Sequence, residues 1–108
     1  MLKQKLIYNK FLPWNGYKCI NLFGILFVRK GARVTERMLN HERIHSAQMK
    51  EMGYVFFYLW YFVEWIVKLF KYGKDSYRNL SFEREAYDCD DYLEYLNNRP
   101  AYSWWDYL

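Results

Sequence analysis

His41, Glu42 and His45 fall within five consecutive residues, His41-Glu42-Arg43-Ile44-His45, and are the side chains here best suited to chemistry. The two histidines are the only ones in the sequence. A step of four residues is about one helical turn, so on a helix both imidazoles point the same way and can grip one ion. Zinc accepts imidazole nitrogen in a tetrahedral shell and, at catalytic sites, keeps one position for water. Glu42 would lie beside the ion, placed to take a proton from zinc-bound water, whose pKa the metal lowers to about 7. Two ligands and a general base are thus present in one turn of chain.

A catalytic zinc takes a third protein ligand. A third histidine does not exist, so the ligand must be a carboxylate, and the best candidates are Glu83 and Glu85 in Phe82-Glu83-Arg84-Glu85-Ala86-Tyr87. They stand about 200° apart around a helix, so only one of them can face the ion. The plain alternative for this segment is a solvated helix start, where acids are favoured.

The elements around these residues can be read from pattern. Residues 5–29 are rich in β-branched and aromatic side chains, as strands are. Leu6-Ile7-Tyr8 and Phe11-Leu12 come first, then a turn at Pro13-Trp14-Asn15-Gly16, then a run from Tyr17 to Arg29 in which Gly24 suggests a bulge or a close backbone approach. A helix is expected from Thr35, a good N-cap with Glu36 in the first turn, to about Met52, with Gly53 as its stop. Met38, His41, Glu42, His45, Gln48, Met49 and Met52 recur at steps of three and four and share one face of it. Residues 54–70 are apolar around the whole circumference, with only Glu64 and Lys68 charged. Such a helix is a central core helix, a surface docked on a membrane or protein partner, or a span, and composition leaves all three open. Lys71 to Asn79 reads as a polar connection. Ser81 can cap a third helix from about Phe82 to Leu96, ended by Asn97-Asn98-Arg99-Pro100. The Trp- and Tyr-rich tail, 101–108, should pack back on the body.

With 108 residues, one domain covering 1–108 is the natural reading, with room for one modest core. Aromatics make up 23% of the chain, which argues against disorder. The net charge of +4 includes no dense Lys/Arg run, which argues against a nucleic-acid partner. Cys19 and Cys89 form neither a zinc ribbon nor a redox pair. With no secretory signal visible at Met1-Leu2-Lys3-Gln4-Lys5, they are expected to be free thiols in a reducing, cytoplasmic setting, with membrane association left to residues 54–70.

On these motifs the chain resembles the gluzincin metallopeptidases: the thermolysin-like enzymes, the integral-membrane prenyl-protein proteases and the very short minigluzincins. The resemblance covers roughly Asn21 to Asp90. It implies a zincin-like minimal α+β fold, with short N-terminal antiparallel strands, three helices, and the metal site between the first and third. In those families a Glu on a later helix completes the site, followed by a small residue three positions on and Asp or Asn four on. Glu83 has Ala86 three on and Tyr87 four on, a match and a departure; Glu85 has Asp88 and Cys89, a poorer match. The resemblance therefore implies Glu83 as third ligand, with Glu85 as fallback. Tyr87 or Asp90 would then orient a ligand histidine. It also implies an edge strand that holds peptide by strand addition. Ile20 to Val28 suits that role or that of an ordinary core strand. No oxyanion-stabilising residue can be chosen among the twelve tyrosines, and Arg43 and Arg84 are as well explained as surface charges.

The implied function is a zinc metallopeptidase that hydrolyses peptide bonds of a peptide or protein substrate, with Glu42 activating zinc-bound water. The alternatives are a non-catalytic zinc-stabilised domain that binds a protein partner or membrane surface, and an aromatic-rich interfacial protein in which the motif is accidental.

Overall fold

The computed structural model describes residues 5–10 and 19–108. The strand expected at Phe11-Leu12 and the turn at residues 13–16 lie outside them. The fold is α+β, as expected: three short strands, β1 (Lys5–Asn9), β2 (Cys19–Leu22) and β3 (Ile25–Arg29), precede the helices. The run from Tyr17 to Arg29 is a hairpin over its described part. Phe23 and Gly24 both take positive φ, at 53° and 85°, which a two-residue turn between twisted strands requires. Gly24 thus marks the turn and not a bulge.

The sheet order is β1-β3-β2. β2 and β3 pair antiparallel, as expected, with Leu22 opposite Ile25. β1 departs from the antiparallel expectation and pairs parallel with β3, Lys5 opposite Ile25 through Asn9 opposite Arg29. Leu26 and Val28 explain the central place of β3: both are fully buried, on alternate positions that share a face. Flanking β3 on both sides leaves β2 as an edge.

Helix α1 (Glu36–Glu51) begins as its sequence dictates: Thr35 Oγ1 accepts from the Met38 amide at 3.1 Å. Gly53, at φ +70°, ends it and lets the chain turn by 109° into α2 (Val55–Tyr72). Two 3-10 turns, Gly73–Asp75 and Tyr77–Asn79, lead to α3 (Ser81–Cys89). Ser81 is the first residue of α3 and not its cap. Glu64 of α2 takes that part, accepting from the Ser81 amide at 2.5 Å and the Ser81 hydroxyl at 2.6 Å. A buried carboxylate at a helix N-terminus meets both its free amides and its dipole.

The third helix is not continuous to Leu96. It ends at Cys89 and resumes as the single turn α4 (Tyr95–Asn98). The fully buried Asn40 supplies the reason. Its Nδ2 lies 3.0 Å from the Asp90 carbonyl and 2.9 Å from that of Tyr92, taking up acceptors at a frayed helix end. The tail packs back as expected. Trp104 joins Met49, Phe57 and Phe82 in the core, and Arg84 donates to the Tyr107 carbonyl at 2.7 Å.

Candidate metal centre

His41, Glu42 and His45 lie on the inner side of α1, and Glu83 comes to them from the first turn of α3. Edge strand β2 is tied to α1 at this level. Asn21 Nδ2 donates to the Glu42 carbonyl at 3.0 Å and to Ser46 Oγ at 2.9 Å, while Asn21 Oδ1 accepts from the Gly24 amide. Strand β2, helix α1 and the hairpin turn are thereby fixed together.

His41, His45 and Glu83 form a group that could hold a metal ion. Nε2 of His45 is 3.2 Å from Nε2 of His41 and 3.2 Å from either oxygen of Glu83, and His41 Nε2 is 3.4 Å from Glu83 Oε1. Donors placed tetrahedrally at about 2.0–2.1 Å from a common ion stand about 3.3 Å apart. The three side chains therefore have the spacing of one face of such a shell. The donor set of two imidazoles and a carboxylate suits an ion of borderline hardness.

Each imidazole is aimed by a partner on its other nitrogen. His41 Nδ1 lies 3.0 Å from Asp90 Oδ2, and Asp90 Oδ1 also accepts from Arg37 Nε at 2.7 Å. A carboxylate only accepts, so Nδ1 is the donor and Nε2 faces the site. His45 Nδ1 donates to Gln48 Oε1 at 2.8 Å. That orientation of the Gln48 amide follows from its other end, where Nε2 donates to the Phe82 carbonyl and to Glu85 Oε1, each at 3.0 Å. Such contacts fix tautomer and ring orientation at metal sites.

Of the two expected candidates for third ligand, Glu83 reaches the histidines and Glu85 does not. Glu85 is fully buried on the other side of α3, where it accepts from Arg99 Nε at 2.5 Å, Tyr95 Oη at 2.7 Å and Gln48. Arg99 in turn forms a two-pronged pair with Glu51, 2.9 Å on each prong. Of Tyr87 and Asp90, Asp90 orients His41, while the Tyr87 ring packs edge-on against it at 4.6 Å.

The protonation of these side chains follows from the same geometry. Burial works against a charge on His45, but the Glu83 carboxylate beside it, with hydrogen bonds to Glu83 and Gln48, pushes the imidazole up to about 10. Burial likewise works against ionised Glu83, but the two imidazoles outweigh it and hold the carboxyl below its usual range. Burial raises the carboxyl of Glu42 above its ordinary value, against the pull of both histidines.

Glu42, His45 and Glu83 open on a cleft of about 770 Å³. One wall is edge strand β2, from Cys19 to Leu22; Met49, Phe57 and Tyr58 give an apolar floor, and Tyr61, Tyr77 and Tyr87 complete the wall. Burial and the nearby Glu83 carboxylate raise the Tyr77 phenol above its ordinary value. Asn40, Gln48 and Tyr77 were not expected from the sequence. Gln48 had a visible signal in sharing the face of His41 and His45, whereas Tyr77 falls in what reads as a polar connection. No family model, curated protein or solved structure matches the chain.

Proposed function

We propose that this chain is a zinc metallopeptidase with His41, His45 and Glu83 as metal ligands and Glu42 as general base. The observation that carries the reading is the donor triangle, 3.2–3.4 Å on a side, with Glu42 beside it at a cleft bordered by a strand edge. Bound zinc would supply a Lewis acid that polarises a peptide carbonyl and brings the pKa of its water to about 7.

The chain's own residues do the rest. Edge strand β2 takes an extended peptide by backbone pairing. Met49, Phe57 and Tyr58 receive an apolar side chain of that peptide and exclude water. Glu42 takes the proton of the attacking water and passes it to the departing amine; its raised pKa suits a group that must both accept and return a proton. Tyr77, kept protonated, donates toward the carbonyl oxygen as negative charge develops on it.

Glu42→Gln tests the reading: zinc should stay bound at the level of the unaltered protein while cleavage of a peptide library is lost. Cleavage that persists in Glu42→Gln would refute the mechanism. A second reading, a non-catalytic domain stapled by zinc, is favoured by the way the three ligands bridge α1 to α3 around a small core. It expects zinc removal to unfold the chain and no peptide to be cleaved by the metal-loaded form.

A further inference from the structure

Helix α2 has two unlike halves. Phe57, Tyr58 and Tyr61 pack on the core and cleft. On the other half Val55, Phe56, Leu59, Phe62, Val63 and Phe70 are all exposed, Phe70 to 90%. At about 100° per residue these six fall within an arc of about 120°, along a helix about 27 Å long. No charged residue of α2 lies within that arc. Glu64, its only acid, sits on the far side, buried beneath Ser81. An unbroken apolar face of this size marks a place of association.

A groove of about 850 Å³ follows the same face where Phe56, Trp60, Val63 and Val67 meet Tyr102 and Leu108 of the tail. Three charged residues line it, Glu51, Glu64 and Lys68, and all are engaged within the fold: Glu51 with Arg99, Glu64 with Ser81, and Lys68 with the Asn79 carbonyl. Lys71 and Lys74 are exposed at the C-terminal end of α2, with Asp75 the one acid in the turn that follows. Among the described residues, no single helix is long and apolar enough to cross a membrane.

We propose that this face of α2 docks in the interface of an anionic phospholipid bilayer, lying parallel to it. An apolar stripe bordered by lysines is what an interfacial helix needs: the side chains enter the acyl boundary and the ammonium groups meet headgroup phosphates. Trp105, exposed beside Trp60 with ring centroids 5.8 Å apart, adds an aromatic side chain suited to headgroup depth. A second copy of the chain fits less well, because its own α2 offers no free carboxylate to the lysines. Phe23 at the hairpin tip packs on Tyr58 at 4.9 Å, which carries apolar surface from α2 to the cleft mouth. Docking thus brings the cleft toward the bilayer, whether or not the site cleaves peptides.

Flotation of the full chain with vesicles tests this, using phosphatidylcholine alone and phosphatidylcholine mixed with phosphatidylglycerol. The unaltered chain should float with the mixed vesicles and much less with phosphatidylcholine alone. Leu59→Ser/Val63→Ser/Phe70→Ser should weaken binding about a hundredfold or more. Lys71→Glu/Lys74→Glu should weaken it about fivefold or more per lysine, on the anionic vesicles only. All five positions are exposed, and unchanged circular dichroism verifies the fold of each variant. Failure of the unaltered chain to float with the anionic vesicles, or flotation untouched by the triple serine variant, would overturn the proposal. So would a stable dimer in sedimentation that the triple variant dissolves, which would assign the face to a second copy.

Discussion

His45 and Gln48 lie one turn apart on α1 and are joined by a hydrogen bond of 2.8 Å from His45 Nδ1 to Gln48 Oε1. Gln48 is fully buried and spends its amide nitrogen on α3, at the Phe82 carbonyl and Glu85. The ring that faces the donor triangle is therefore held by the same side chain that locks α1 to the helix carrying Glu83. Removing that side chain should loosen the metal without removing a ligand.

Gln48→Leu should lower zinc affinity roughly 10- to 100-fold, the range for lost partners of metal-bound histidines. Competition against a chromogenic chelator measures it. Asp90→Ala should act similarly through His41. Affinity unchanged in both variants would mean that the two imidazoles are aimed by packing alone.

Glu83 and Glu85 are two residues apart and should fail in different ways. Glu83→Ala should lose zinc. Glu85→Ala should keep it, yet leave Arg99 buried without one of its two carboxylates, at a cost of about 3–5 kcal/mol in urea unfolding. Metal content measured beside unfolding midpoints separates the two. Zinc lost equally from both variants would contradict the assignment.

Zinc binding should release a proton near neutral pH. In the metal-free protein the His45 imidazole is raised to about 10, so at pH 7 it is protonated. Coordination needs the neutral ring, so its proton must leave as the ion arrives. Affinity should therefore fall about tenfold for each unit the pH drops below that value. Titration calorimetry in two buffers of different ionisation enthalpy reads the proton directly. A binding heat independent of buffer at pH 7 would contradict the charged His45–Glu83 pair.

Local signals carried much of this structure. Thr35, the spacing of His41 and His45, and Gly53 specify α1 and its inward face without reference to the rest of the chain. The choice of Glu83 over Glu85 rested on a family pattern; in the structure Glu83 lies beside the two imidazoles, while α3 turns Glu85 toward Arg99, whose other partner Glu51 is 48 residues away. The parallel pairing of β1 was not legible, since strand order is set by which strand buries both flanks and not by any local pattern. Nor was the break after Cys89: it depends on Asn40, whose contacts lie about fifty residues away in sequence. The apolar circumference of residues 54–70 left its environment open. Glu64 resolves the direction, because its inward turn to the start of α3 leaves the opposite face of α2 without a charge.

The central claim is that one ion is gripped by His41, His45 and Glu83. X-ray absorption at the zinc edge of the reconstituted protein tests it most directly. The expected spectrum has two imidazoles and further light-atom donors at about 2.0–2.1 Å, with one imidazole lost in His45→Ala. A sulfur shell near 2.3 Å, as Cys19 at the cleft wall would give, or protein that retains no zinc after dialysis, would contradict it.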